Sequence, residues 1–138
     1  MDDEYLLDIL TNQMIIDETQ AEEVRWKAEE EGRRVVDVLE ELGYADEDTV
    51  LGMLAAEYAM DTFDLDGYKI PDDCIQQVPA ELAKKYGIVP VMLHETGLTV
   101  AISDPTAFIG IIDTLNYTLG LDVEAVICKR AQIEKAID

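Results

Sequence analysis

Residues 79–128, PAELAKKYGIVPVMLHETGLTVAISDPTAFIGIIDTLNYTLGLDVEAVIC, decide the fold. Pro79 opens a short helix through Glu81, Leu82, Ala83 and Tyr86, and Gly87 ends it. Proline suits the first turn of a helix, and glycine suits the left-handed residue just past its end. Val89, Val91 and Leu93 then alternate with their neighbours, as do Leu98, Val100 and Ile102. Period-two alternation marks half-buried strands. A tight turn at Thr96-Gly97 predicts a hairpin over 88–103 with Leu93 opposite Val100 and Val91 opposite Ile102, all four on one face. Asp104 and Pro105 supply the cap and first turn of a helix whose apolar stripe is Phe108, Ile111, Ile112, Leu115 and Leu119, closed by Gly120. Val123, Ala125 and Ile127 alternate as a third strand within 122–128, and Ile133, Ala136 and Ile137 line a last helix. The pattern predicts a small α/β module over 79–138, a roughly three-stranded sheet covered by helices.

Upstream, residues 61–78 (DTFDLDGYKIPDDCIQQV) are turn-rich and read as a linker. Asp64, Asp66, Gly67 and Asp73 touch the pattern of a calcium loop. The first ligand position would be Thr62, however, and the twelfth is Asp73 where a bidentate glutamate belongs, so turn chemistry accounts for the stretch.

Residues 1–60 read as helices. Leu6, Leu7, Ile9 and Leu10 begin one that ends near Met14. Asp17 and Gln20 have the spacing of a capping box for the next, with Ala21, Val24 and Ala28 on one side and Gly32 at the end. Val35, Val36, Val38, Leu39 and Leu42 form a third, with Gly43 as a left-handed cap. Asp46 caps a fourth, whose stripe is Val50, Leu51, Leu54, Ala55 and Tyr58. The segments YLLDILTNQMIIDETQAEEV and RVVDVLEELGYADEDTVLGM superpose at an offset of 29 residues, so that Asp8 matches Asp37, Leu10 matches Leu39 and Asp17 matches Asp46. Two copies make a duplicated helical pair rather than a solenoid. The fold class is therefore α+β, an acidic helical repeat region followed by the α/β module.

The charge is lopsided. The chain carries a net −21, and residues 1–73 hold 23 acidic side chains against 5 basic ones. Such a surface repels nucleic acid and anionic lipid. It is either a solvated helical exterior or a docking face for a basic partner protein. No apolar run approaches the length of a membrane span, and the acidic start MDDEYLLD is unlike a secretory signal, so cytoplasmic residence is expected. Cys74 and Cys128 are far apart and form no CxxC pair; reduced, partly buried thiols are expected. His94 is the single histidine, with no Cys or His at ligand spacing, so no metal site is expected.

Catalytic chemistry finds no constellation. Ser103, the sole serine, lies beyond His94 in the same hairpin, too far along it for the contact of about 3 Å that a nucleophile and base require. His94 is expected to face solvent near the turn. No GxxxxGK[ST] loop occurs. Trp26 and the six tyrosines are not interleaved with basic residues, which argues against single-strand nucleic-acid binding. No catalytic residue and no cofactor are expected in this chain.

The ordered set FDLDGYKI (63–70), PAELAKKYGIVPV (79–91), GLTVAISDP (97–105) and LGLDVEAVI (119–127) resembles the N-terminal domain of type II secretion and type IV pilus assembly ATPases. That resemblance implies a noncatalytic adaptor or regulatory domain, recruited to the inner membrane by an inner-membrane platform or cytoplasmic assembly protein. The ATPase motor would be a separate C-terminal domain beyond Asp138. Some family members bind cyclic di-GMP through two tandem motifs, each with Arg-Leu-Gly, a later Gly, spaced leucines and a closing Gln. Here Arg34, Leu39, Gly43 and Leu54 match the second motif, while Val35 and Val36 replace Leu-Gly and Glu57 replaces Gln. In the first copy Tyr5 stands for Arg, Leu7 and Met14 for glycines, and Ala28 for Gln. If cyclic di-GMP binds, the resemblance assigns it to Arg34, Leu39, Gly43 and Leu54.

Overall fold

The computed structural model describes residues 3–137. The chain forms two compact units, residues 1–50 and 51–138.

The first unit is helical: α1 (Asp3–Asn12), α2 (Glu18–Glu31), α3 (Val35–Glu41) and the start of α4 (Glu47–Glu57). α1 buries Leu6, Leu7, Ile9 and Leu10, and α2 packs on both α1 and α3. The expected capping box is present. Gln20 N donates to Asp17 Oδ1 at 2.8 Å, and Asp17 N donates to Gln20 Oε1 at 2.9 Å. The 29-residue repeat recurs in the backbone hydrogen bonds that follow α1 and α3. Ile15 N donates to Leu10 O and Tyr44 N to Leu39 O, both at 3.0 Å; Met14 N donates to Thr11 O and Gly43 N to Glu40 O, both at 3.1 Å. Thr49 N donates to Asp46 Oδ1 at 2.7 Å, the counterpart of the Asp17 cap. Each copy is a helix, a left-handed turn and a side-chain-capped helix.

The second unit is built on a sheet, with elements β1 (Asp61–Thr62), α5 (Asp72–Ile75), α6 (Ala80–Tyr86), β2 (Val89–Leu93), β3 (Gly97–Ile102), α7 (Pro105–Leu119), β4 (Asp122–Ile127) and α8 (Arg130–Ile137). The strand order is β1-β4-β3-β2. β2 and β3 are the antiparallel hairpin; β3 and β4 run parallel, joined by the α7 crossover. Asp104 caps α7 through Thr106 N and Ala107 N, with Pro105 in the first turn and Gly120 at the end, as the sequence predicts. Leu98, Val100, Ile102 and Val123 face a core completed by Phe108 and Leu115 of α7, Ala83 of α6 and Cys74. Val89, Val91 and Ala101 face the other side, against Leu65, Cys128 and Ile133 of α8.

Two expectations need correction. The sheet has four strands, because the stretch read as a linker supplies β1. Asp61 and Thr62 lie parallel to Val126 and Ile127, and Phe63 N donates to Ile127 O at 2.9 Å. Phe63, Leu65, Tyr68 and Ile70 then fold onto the apolar clusters, a role hidden in sequence by the aspartates between them.

The hairpin register also differs. Leu93 pairs with Leu98 rather than Val100, and the ladder shifts between Pro90 and Met92, so that Pro90 pairs with Val100 and Val89 with Ala101. Proline has no N–H for the ladder and favours edge strands and bulges. The extra residue, Val91, therefore turns toward Ala101 and Ile133, while Leu93 joins the α7 face. The Tyr68 hydroxyl donates to Val91 O at 2.6 Å and satisfies the bulged carbonyl.

Candidate docking surface and repeat motif

Side chains with chemical capacity are dispersed. His94 is exposed, as expected, and its Nε2 lies 3.0 Å from Thr99 Oγ1 on the neighbouring strand. Its partner is thus Thr99 and not Ser103. Both cysteines are fully buried and free. Burial, then Asp64, pushes the Cys128 thiol up to about 12; burial, then Asp73, raises Cys74. A nucleophilic cysteine needs the opposite environment, electropositive and accessible. Among the described residues no group of three or more His, Cys, Asp or Glu converges as a metal set would.

The residues matched to the cyclic di-GMP motif take the following places. Arg34 sits just before α3, with Nε and Nη2 each 3.1 Å from the Asp37 carboxylate. Leu39 is fully buried in α3. Gly43 follows the same helix with φ +75°, and a Cβ there would meet nothing within 4 Å. The left-handed backbone conformation, and no close neighbour, is what favours glycine there. Leu54 is buried in α4 within the second unit. Arg34, Leu39 and Gly43 belong to one helix and its turns; Leu54 belongs to the other unit. In the first copy Met14 holds the left-handed position of Gly43 with φ +60°. It borders an open depression of about 450 Å³ lined by Thr11, Met14, Ile15, Ile16, Asp17, Glu18 and Gln20. That lining has two carboxylates and no base.

Electrostatics in the first unit point one way. Its four basic residues are Arg25, Lys27, Arg33 and Arg34, and each is paired within the unit. Arg25 pairs with Glu4, Arg33 with Glu41 and Glu31, Lys27 with Glu41 and Glu31, and Arg34 with Asp37. The hydrogen bond from Arg33 holds Glu41 below the usual carboxylate range and raises Arg33 in turn. The Tyr44 hydroxyl donates to Glu23 at 2.6 Å, which raises its own pKa. With the bases occupied, the remaining carboxylates dominate the exterior. This surface is suited to a cationic protein partner and poorly suited to an anion.

Residues 58–138 match the MshEN domain family, and the chain belongs to it. The chain is 26% identical over 131 residues to the type IV pilus assembly ATPase PilB of Myxococcus xanthus (strain DK1622), covering 95% of this chain and 23% of that protein. It thus spans about a quarter of that relative's length. A structure of MshE with cdg superposes with a TM-score of 0.78 at 26% identity, covering 96% of both chains. The N-terminal domain of XpsE shares the fold, with a TM-score of 0.66 at 19% identity over 96% of this chain and 90% of that one. The resemblance carried by residues 63–70, 79–91, 97–105 and 119–127 therefore holds: this is an N-terminal domain of the type II secretion and type IV pilus ATPase kind.

Proposed function

We propose that this domain is a noncatalytic adaptor of a type II secretion or type IV pilus assembly ATPase, docking the motor onto an inner-membrane platform or cytoplasmic assembly protein. One observation carries the reading, the whole-length likeness to MshE together with the match to PilB. The charge pattern supports it: every base of the first unit is paired internally, leaving an acidic exterior for a partner. The motor, with its nucleotide site, is a separate C-terminal domain that this adaptor serves. Recruitment to the inner membrane runs through the partner, with no nucleic acid or membrane insertion involved. Co-purification of the domain with the cytoplasmic parts of the platform components tests this. A saturable complex is expected; failure of the domain and of the full motor to retain any component refutes it.

A second reading has one specific observation in its favour, the similarity to a structure of MshE with cdg, cyclic di-GMP. In this reading Arg34, Leu39, Gly43 and Leu54 hold the nucleotide. Against it stand the Arg34–Asp37 pair, Met14 at the position of a motif glycine, and the acidic lining beside it. Each would weaken a contact to a dianion. Calorimetry with cyclic di-GMP at tens of micromolar protein separates the readings: an Arg34-dependent, saturable heat establishes the second.

A further inference from the structure

Trp26 is the only tryptophan, and it is 67% exposed on α2. Glu22, Glu23, Glu29 and Glu30 stand four and three residues before it and three and four after it, and all are exposed. At those spacings side chains share one face of a helix. The opposite face buries only Ala21, Val24 and Ala28. Folding alone does not account for this arrangement. The last turn of α2 carries glutamates and no basic residue, although negative charge at a helix C-terminus opposes the macrodipole. Glu31 is held by Lys27 and Arg33, whereas Glu29 and Glu30 have no ion pair among the described residues. Among the described residues no cation of the chain stacks on the indole; a lysine stacked on a ring is Lys85, on Tyr86.

We infer that this face of α2 takes an arginine- or lysine-rich segment of a partner polypeptide, with one cationic side chain stacked on Trp26 and its neighbours paired with Glu22, Glu29 and Glu30. The inference rests on the adaptor reading and names the chemistry of its partner. A desolvated cation over tryptophan is the strongest aromatic–cation pairing, and tryptophans ringed by polar contacts are the usual anchors of interfaces. Charge selects the occupant. Nucleic acid and anionic lipid are repelled by the four carboxylates, and a second copy of a chain at −21 is repelled by its own charge.

Trp26 is also the reporter. The chain is titrated with a peptide of about a dozen residues alternating arginine and alanine, near 0.15 M salt, where distant surface charges are largely screened. A saturable change in Trp26 emission is expected. By calorimetry, Glu29→Lys with Glu30→Lys weakens binding by roughly tenfold, and Trp26→Ala by roughly fivefold. Glu95→Lys with Glu124→Lys, exposed carboxylates of the second unit with the same change of charge, stays within about twofold. Circular dichroism confirms that each variant is folded. The inference is overturned if the peptide produces no saturable signal, if Trp26→Ala binds as wild type, or if the control pair weakens binding as much as Glu29→Lys with Glu30→Lys. The adaptor reading fails separately. If the wild-type chain retains a platform component and the Trp26→Ala, Glu29→Lys, Glu30→Lys triple variant retains it equally, the face is wrong and the adaptor stands. If neither the wild-type domain nor the full motor retains any component, the adaptor reading falls.

Discussion

Met14 is a methionine doing the work of a glycine, and exchanging the two across the repeat gives a quantitative test. Its φ is +60°, and the side chain is 90% exposed. Holding a residue with a Cβ in the left-handed region costs about 1–2 kcal/mol. Replacing it by glycine removes that strain but restores about 0.5–1 kcal/mol of chain freedom to the unfolded state. Almost no burial is lost, so Met14→Gly should stabilise the first unit by about 0.5–1 kcal/mol. At the equivalent turn, a Cβ at Gly43 meets nothing within 4 Å. Gly43→Met then takes on the left-handed strain while removing the freedom glycine gives the unfolded chain, a net destabilisation of about 0.5–1 kcal/mol. The double variant should return close to wild type. Urea unfolding followed by Trp26 fluorescence reads the correct unit, since Trp26 lies in α2. The m-value should not change, which would confine the effect to stability. A Met14→Gly variant less stable than wild type, or a neutral Gly43→Met, would refute the reasoning that both turns share one strained geometry.

Other outcomes follow from the same structure. Asn116 Oδ1 accepts from Val123 N at 2.8 Å at the start of β4; Asn116→Leu leaves that half-buried donor unpaired and should cost about 1–3 kcal/mol in denaturant unfolding. Leu10→Ala and Leu39→Ala remove side chains of zero exposure at equivalent repeat positions, and each should cost about 2–5 kcal/mol. The Cys128 thiol rises from 9.0 to about 12 on folding. A folded pKa above the unfolded one gives stability that is complete below pH 9 and lost as pH climbs toward 12, on the order of a few kcal/mol. Cys128→Ala should flatten the dependence of unfolding free energy on pH across that window, and an unchanged slope would show that Cys128 does not set it.

The second unit was legible because its signals are local and redundant. Pro79 and Gly87, Asp104 and Pro105, and Gly120 each fix a helix end by backbone chemistry, and all lie where expected. Alternation located β2, β3 and β4, but alternation cannot see a bulge. The shift at Pro90–Met92 arises from a missing N–H on an edge strand and from the Tyr68 hydroxyl waiting for Val91 O. β1 was missed because two residues are too few for a periodic signal; its strand character comes from Val126 and Ile127, more than sixty positions away. In the first unit the 29-residue repeat was readable and its hydrogen bonds recur. What the offset could not reveal was that Met14 accepts the left-handed conformation of Gly43. The Trp26 face needed only helical spacing to find.

The most direct measurement is binding of the intact 138-residue chain to the purified cytoplasmic region of each platform component, by calorimetry near 0.15 M salt. The account predicts a saturable one-to-one complex that weakens as salt rises and as Glu29 and Glu30 are reversed in charge. No complex with any component, from this chain or from the full motor, would contradict it.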